Sequence, residues 1–153
     1  MIISFYGGFG LGNFGNEATL QITLESLRQL LPNAEFNCIC TNPEATTAAH
    51  GIPTWPICST IVADWRSQSR IIGAFRSIFI GIPSELYRWV EAFQTLKGTN
   101  VLFVPGTGLL TDAFGLRSWG PYSLFKWLLI AKLRGCKVAV VSVGAGPVYT
   151  RTG

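Results

Sequence analysis

Apolar residues along this chain fall into short, mainly apolar runs that alternate with stretches of spaced apolar positions. The runs predict buried strands, because a strand that is covered on both faces needs few polar positions. They cover Ile2–Tyr6, Glu35–Thr41, Asn100–Val104 and Cys136–Val143. Strands of this kind, separated by helices, predict a mostly parallel sheet with helices on both faces.

The spaced apolar positions predict helices, since side chains three or four residues apart share one helix face. These positions are Leu20, Leu24, Leu27 and Leu31 in the first helix and Leu124, Trp127, Leu128 and Ala131 in the last. Asn13 or Asn16 can cap the first helix, and Pro32 ends it. A further helix is predicted over residues 69–96, broken near residues 81–83 and restarting at Ser84.

Residues 42–70 carry the weakest pattern, because prolines interrupt them. Ile57–Ala63 is the candidate strand of this region, and the only histidine, His50, is assigned to a loop. The whole pattern predicts one α/β domain over residues 1–153, with a Rossmann-like open sheet. The chain stops in a loop where the alternation calls for another helix, so we expect a C-terminal domain beyond Gly153.

Hydrophobic residues make up 48% of the chain and charged residues 13%, with a mean hydropathy of +0.36. This composition excludes a disordered chain and is more apolar than that of an ordinary domain. No run approaches the roughly 20 apolar residues of a membrane span, and the N-terminus lacks the features of a signal peptide. We therefore expect a cytoplasmic protein with at most peripheral membrane contact.

Four cysteines, Cys38, Cys40, Cys58 and Cys136, form no C-x-x-C pair. A structural zinc site needs four ligands at suitable spacing, and the chain offers a single histidine beside the cysteines. We expect buried free thiols and no bound metal.

The net charge of +4 is unevenly spread along the chain. Residues 1–112 hold six basic and eight acidic side chains, whereas residues 113–153 hold six basic side chains and no acidic one. Those six are Arg117, Lys126, Lys132, Arg134, Lys137 and Arg151. Such a segment either attracts an anionic ligand or keeps an apolar helix in solution. The sequence contains no recognisable nucleic-acid-binding module, so nucleic acid is not an expected partner.

Glycine-rich loops follow three of the predicted strands, at residues 7–17, 105–112 and 144–147. Loops at the carboxyl ends of parallel strands leave the sheet at one edge, where ligands of such folds bind. Gly10–Gly15 matches the dinucleotide pattern G-x-G-x-x-G, but that pattern also needs an acidic residue at the end of the second strand. This chain has Thr41 and Asn42 there, so NAD binding is disfavoured. A tight turn into the first helix is the simpler use of the glycines.

Three segments at these loops resemble the polysaccharide pyruvyl transferases. Residues 8–18, G-F-G-L-G-N-F-G-N-E-A, are similar to that family's G-x-G-N-x-G-D-E-A signature. Residues 101–112, V-L-F-V-P-G-T-G-L-L-T-D, resemble its strand followed by G-G-G-x-L-x-x-D, and residues 137–147, K-V-A-V-V-S-V-G-A-G-P, resemble its strand ending in G-x-G-x-G-P. Asn16 stands where the family usually has aspartate, and Thr107 where it has the middle glycine.

The resemblance implies the N-terminal half of a two-domain, glycosyltransferase-B-like enzyme whose active site lies between the halves. This half would face the acceptor, a saccharide or lipid-linked saccharide of a cell-surface polysaccharide or exopolysaccharide. The other half would hold the donor substrate phosphoenolpyruvate, and no cofactor is implied. The implied catalytic residues are the loop carboxylates Glu17 and Asp112, for acid–base work in ketal formation. The implied substrate-binding residues are Gly10, Asn13, Gly15, Asn16, Gly106, Thr107, Gly108, Gly144 and Gly146.

Each of these roles has an alternative. Glu17 also suits a charge partner at a helix N-terminus, and Asp112 also suits a carboxylate that accepts backbone hydrogen bonds in its loop. A nucleotide-sugar glycosyltransferase has the same architecture, and Asn16 with Thr107 also suits a relative that binds saccharide without turnover.

Overall fold

The computed structural model describes residues 1–58, 81–106 and 121–141 of the 153-residue chain. Within these ranges, strands and helices alternate as the sequence predicts. In chain order they are β1 (Ile2–Gly7), α1 (Phe14–Leu30), β2 (Glu35–Cys40), α2 (Pro43–His50), β3 (Thr54–Pro56), α3 (Ile82–Thr95), β4 (Thr99–Pro105), α4 (Pro121–Leu133) and β5 (Lys137–Val141).

The strands form one sheet in the order β3-β2-β1-β4-β5, and every neighbouring pair is parallel. In the central strand β1, Phe5 is in register with Cys38 of β2 on one side and with Phe103 of β4 on the other. The chain builds outward from β1 to β3 and then crosses to the far side of β1. The strand order therefore reverses between β1 and β4. The predicted Rossmann-like, parallel α/β sheet is confirmed.

Two hydrophobic cores lie on opposite faces of the sheet, because successive strand residues point to opposite faces. On the α1 face, Phe5 packs with Leu20 and Leu24 of the predicted helical stripe. On the α3–α4 face, Tyr6 packs with Trp127. Leu20 is 0% exposed and Leu24 2%, so the burial of each side chain contributes about 1.5–3 kcal/mol to folding.

Helix α1 begins at the cap that Asn13 provides. The Asn13 side-chain oxygen Oδ1 accepts hydrogen bonds from the backbone N–H groups of Gly15 and Asn16, at 3.1 and 3.4 Å. Of the two predicted caps, the structure therefore selects Asn13. The helix ends with Leu31 as its C-cap, immediately before Pro32, as the sequence predicts.

Helix α2 is not predicted by the hydrophobic pattern. Asn42 caps it, Pro43 occupies its first turn, and His50 is its last residue, so the assignment of His50 to a loop is wrong. The helix spans eight residues and buries one of them, Thr46. With a single buried position it has no apolar stripe to mark it.

Strand β3 lies at Thr54–Pro56, ahead of the predicted Ile57–Ala63. Residues 57 and 58 are outside any strand, and residues 59–63 lie outside the described part of the chain. Helix α3 begins at Ile82 rather than restarting at Ser84, because Pro83 fits a first helical turn. Residues 69–80 of the predicted helix and residues 142–143 of the predicted last strand are also outside the described ranges.

The cysteines are free: Cys38, Cys40 and Cys136 are buried, and Cys58 is partly buried. In the described ranges, no three His, Cys, Asp or Glu side chains are placed to share a metal ion. The helices of these same ranges include none with the length and apolar character to cross a membrane.

Candidate functional site

The carboxyl ends of β1 and β4 mark the point where the strand order reverses. β1 ends at Gly7 beside Cys40 of β2, and β4 ends at Pro105 beside Val141 of β5. Because all strands are parallel, the loop after β1 and Gly106, which follows β4, lie at one edge of the sheet, the carboxyl edge. Ligands of open α/β sheets bind at such a reversal point.

Five predicted site residues lie outside the described ranges: Thr107, Gly108, Asp112, Gly144 and Gly146. Since their loops follow parallel strands, Glu17 and Asp112 are expected to face a shared crevice at this edge, and this stays a prediction. The other predicted site residues are within the described ranges. One of them is Gly106, and the rest lie on the glycine loop (residues 8–13) or in the first turn of α1.

The glycine loop is fixed to the start of α2. Phe9 is fully buried, and its carbonyl oxygen accepts a hydrogen bond from the Asn42 N–H at 3.2 Å. Gly10 has a φ of +81°, and a Cβ on it would collide with the Asn42 carbonyl oxygen. Only glycine allows so close a backbone approach in this conformation. Gly12 has a φ of +74° but faces open space.

Gly10→Ala is expected to destabilise the protein more than Gly12→Ala. Both changes place a Cβ at positive φ, which costs about 1 kcal/mol. Gly10→Ala must also displace the backbone at Asn42, so we expect a loss of about 2–3 kcal/mol in the free energy of unfolding. Denaturation by urea measures both variants. Equal losses would contradict the tight contact between the loop and α2.

Glu17 joins the glycine loop to α2 from the first turn of α1. Its carboxylate oxygen Oε1 accepts a hydrogen bond from the Gly10 N–H at 2.7 Å. Its other oxygen, Oε2, lies 3.2 Å from Nε2 of His50. The Glu17 side chain is 24% exposed and that of His50 is 5% exposed. The predicted catalytic carboxylate thus lies at the carboxyl edge, partly open to solvent, between a backbone amide and an imidazole.

His50 is the site residue that the hydrophobic pattern missed. It shares one face of α2 with Asn42 and Thr46, because these residues are four apart. Thr46 is fully buried, and its hydroxyl donates a hydrogen bond to the Asn42 carbonyl at 2.9 Å. The sequence does contain a signal for the start of this helix in Asn42–Glu44, which supplies a cap, a first-turn proline and a first-turn acidic residue. Gly51 supplies a matching signal for its end, as the C-cap.

Asn16 donates a hydrogen bond from Nδ2 to the carbonyl oxygen of Gly8 at 3.0 Å. An ionised aspartate at this position has no N–H group to offer. The residue that departs from the pyruvyl transferase signature is therefore matched to the backbone of this loop. Asn13 and Gly15 take part in the cap of α1. Contact of these residues with a substrate stays a prediction.

Cys40, the last residue of β2, is buried close to the start of α2. Hydrogen bonds with Cys38 and Thr46 lower the pKa of the Cys40 thiol, although burial raises it. Burial raises the pKa of the Cys38 thiol. Because Cys40 is 0% exposed and belongs to the core of the α1 face, it contributes to packing and has no direct access to a substrate.

A second polar cluster joins the N-terminal turns of α3 and α4, on the other face of the sheet. Oε1 of Glu85 accepts hydrogen bonds from Nζ of Lys126 at 3.0 Å and from the hydroxyl of Tyr122 at 2.8 Å. Nε1 of Trp89 donates to the same hydroxyl at 3.1 Å. The Lys126 side chain is 2% exposed, so its charge is neutralised by Glu85 inside the protein. Lys126 is one of the six basic residues of the segment 113–153. Because it is paired with Glu85 inside the protein, it does not bind an external anion.

No protein-family model and no curated protein matches the sequence. Among solved structures, the chain is similar to a lipopolysaccharide outer core galactosyltransferase, WaaB, in its apo form, with a TM-score of 0.51 and 16% sequence identity. The match covers 93% of this chain and 33% of that one, so this chain spans about a third of the galactosyltransferase. At this identity the likeness concerns the fold alone, and the chain has the Rossmann-like fold of a glycosyltransferase-B-type domain.

Proposed function

We propose that this chain forms the acceptor side of a saccharide-modifying transferase that moves a pyruvyl group from phosphoenolpyruvate to a sugar. The observation that carries the proposal is the Glu17 carboxylate at the carboxyl edge, held by the Gly10 N–H and by His50. The three motif segments favour pyruvyl transfer over glycosyl transfer. The shared fold with a galactosyltransferase is compatible with a saccharide as acceptor.

Pyruvyl transfer makes a ketal from two sugar hydroxyls. The methylene carbon of phosphoenolpyruvate takes up a proton, the two hydroxyl oxygens bond to the adjacent carbon, and the bond from that carbon to the phosphate oxygen breaks. One hydroxyl proton balances the proton taken up by the methylene, and the other leaves with phosphate. The enzyme must therefore hold a base within hydrogen-bond reach of the acceptor hydroxyls.

Glu17 suits the role of this base. A carboxylate oxygen has two lone pairs, and the Gly10 N–H and His50 each occupy one side of the group, which leaves acceptor capacity toward solvent. Glu17 lies in the first turn of α1, where the partial positive charge of the helix N-terminus attracts a carboxylate. His50 is almost buried, so it orients the carboxylate from behind rather than meeting the substrate.

The test supplies phosphoenolpyruvate and a panel of free and lipid-linked glycans to the natural polypeptide that carries this chain. We expect phosphate release that depends on a glycan, together with a glycan whose mass has increased by one pyruvate less one water. Release of a nucleoside diphosphate from a nucleotide sugar, with no use of phosphoenolpyruvate, would replace pyruvyl transfer with glycosyl transfer. Glycan binding without either product would make the protein a saccharide-binding relative.

A further inference from the structure

A groove of about 680 Å³ lies at the opposite edge of the sheet from Glu17. It is formed where the amino ends of β1, β2 and β3 meet the last turn of α3. Its lining includes Glu35, Asn37, Trp55, Gln94, Thr95 and Lys97. The volume is within the range of small-molecule sites, which is about 300–1,000 Å³. Strand β1 separates this amino edge from the carboxyl edge by roughly 20 Å, since its six residues rise about 3.3 Å each.

Trp55 gives the groove an aromatic wall. It is in register with Ile39 of β2, and residues in register on parallel strands point to the same face. Ile39 belongs to the core of the α3–α4 face, so Trp55 projects to that face, toward the end of α3. The Trp55 residue remains 39% exposed. An exposed indole surface beside polar groups suits a ligand with one apolar face.

The Asn37 side chain has a hydrogen-bond acceptor that no donor in the described part of the protein satisfies. Its side-chain oxygen Oδ1 is shielded from solvent and has no hydrogen-bond partner. Buried amide oxygens in proteins are nearly always hydrogen-bonded, so an orphan beside a groove points to a partner that a ligand brings. The missing partner must be a donor, such as a hydroxyl. The terminal torsion of asparagine is broad, so a rotation of the amide can turn the oxygen toward the groove.

The charges of the groove favour a neutral ligand. Glu35 and Lys97 contribute one charge of each sign, and the remaining polar lining residues, Gln94 and Thr95, are uncharged. A phosphate or carboxylate ligand would need an excess of cations, which this lining lacks. Amide and hydroxyl side chains can both donate and accept, as recognition of several hydroxyls requires.

We propose that the groove is a second saccharide-binding site, which takes a neutral sugar unit with its apolar face on Trp55 and a hydroxyl on the Asn37 oxygen. The inference does not depend on pyruvyl transfer at Glu17, because it involves different residues at the other edge of the sheet. A polymeric glycan bound in this groove stays on the protein whether or not one of its sugar units is bound at Glu17.

Saturation-transfer NMR on this chain tests the proposal, with maltose, cellobiose, lactose and chitobiose as neutral probes and uridine monophosphate as an anionic one. We expect at least one disaccharide to bind and its affinity to fall at least about ten-fold in Trp55→Ala. The matched control is Phe125→Ala, which removes an aromatic ring that is 56% exposed on α4 and should leave binding unchanged.

Asn37→Leu separates ligand recognition from folding. It removes the orphan acceptor while keeping the same number and branching of side-chain heavy atoms, so we expect the melting temperature to stay level or rise while disaccharide binding is lost. If Trp55→Ala fails to fold, Asn37→Leu decides the question alone. The proposal is overturned if no disaccharide binds, if binding survives the folded variants, or if uridine monophosphate binds in place of the sugars. None of these outcomes bears on transfer at the carboxyl edge, which the phosphoenolpyruvate assay measures.

Discussion

Glu85→Gln is expected to lower the free energy of unfolding by about 3 kcal/mol. Lys126 is 2% exposed, and the Glu85 carboxylate is its salt-bridge partner. Removal of one member of a buried pair leaves the other charge uncompensated, at a cost of about 3–5 kcal/mol. We expect the lower end of that range because the Glu85 side chain is itself 30% exposed. Thermal and urea denaturation of the wild type and of Glu85→Gln measure this loss in the free energy of unfolding.

The effect of Glu85→Gln should depend on pH. Burial raises the pKa of Glu85, but hydrogen bonds from Tyr122 and Lys126 outweigh it, and the pKa lies below its ordinary value of 4.5. A carboxyl group with a lowered folded-state pKa stabilises the fold above its unfolded-state pKa and loses that contribution as the pH falls through the folded-state pKa. The difference in melting temperature between wild type and variant should therefore be full at neutral pH and shrink below about pH 4.5.

Glu25→Gln is the matched control, because Glu25 contacts Gln21 on the exposed surface of α1. It should change the free energy of unfolding by less than about 0.5 kcal/mol. Replacement of both partners, as in Glu85→Leu with Lys126→Met, should recover much of the loss. Equal effects of Glu85→Gln and Glu25→Gln would mean that Lys126 does not depend on Glu85.

Glu17→Gln is expected to lower kcat for pyruvyl transfer by about 10²-fold, the usual contribution of a general base. Glutamine keeps an oxygen that can accept the Gly10 N–H, so the glycine loop should retain its conformation. The stability loss should stay within the roughly 0.3–1 kcal/mol of a charge at a helix N-terminus. Steady-state kinetics of the natural polypeptide, with thermal melting alongside, measure both quantities.

Glu44→Gln provides the comparison for Glu17→Gln. Glu44 is also an acidic residue in the first turn of a helix, α2, so it reports the dipole effect without the glycine loop. We expect it to leave kcat unchanged. If Glu17→Gln likewise left kcat unchanged but lowered the melting temperature, Glu17 would fasten the loop to α2 and would have no part in the reaction.

The fold follows from the sequence where an element buries several side chains of its own. Leu20 and Leu24 face the core as the stripe of α1 predicts, and β1 and β4 appear within one or two residues of the predicted runs. α2 and β3 have too few buried positions to leave a pattern, since they bury one residue and none. Their positions are set by packing on β2 and on the glycine loop.

The site is predictable only in its local part. Glu17 could be placed at a sheet edge because it directly follows a strand and a glycine loop. Its contact with His50 joins residues 33 apart, and the burial of Lys126 depends on Glu85, 41 residues away. A lysine in a helix is normally solvated, and nothing within α4 indicates a carboxylate on the neighbouring helix. Long-range pairs of this kind require the packing of helices to be known first.

Strand β1 has partners at very different distances along the chain, and this determines an order of assembly. Its neighbour β2 follows after one helix, whereas the side-chain hydrogen bond between Ser4 and Thr99 and the one that Tyr6 donates to Ser123 join residues 95 and 117 apart. Contacts between distant residues form slowly because a long loop must close first. As the chain leaves the ribosome, residues 1–58 can complete three parallel strands and two helices before β4 is synthesised. Tyr6 and Ile39 belong to the core that α3 and α4 complete, so the half-made sheet exposes apolar side chains on that face until those helices are synthesised.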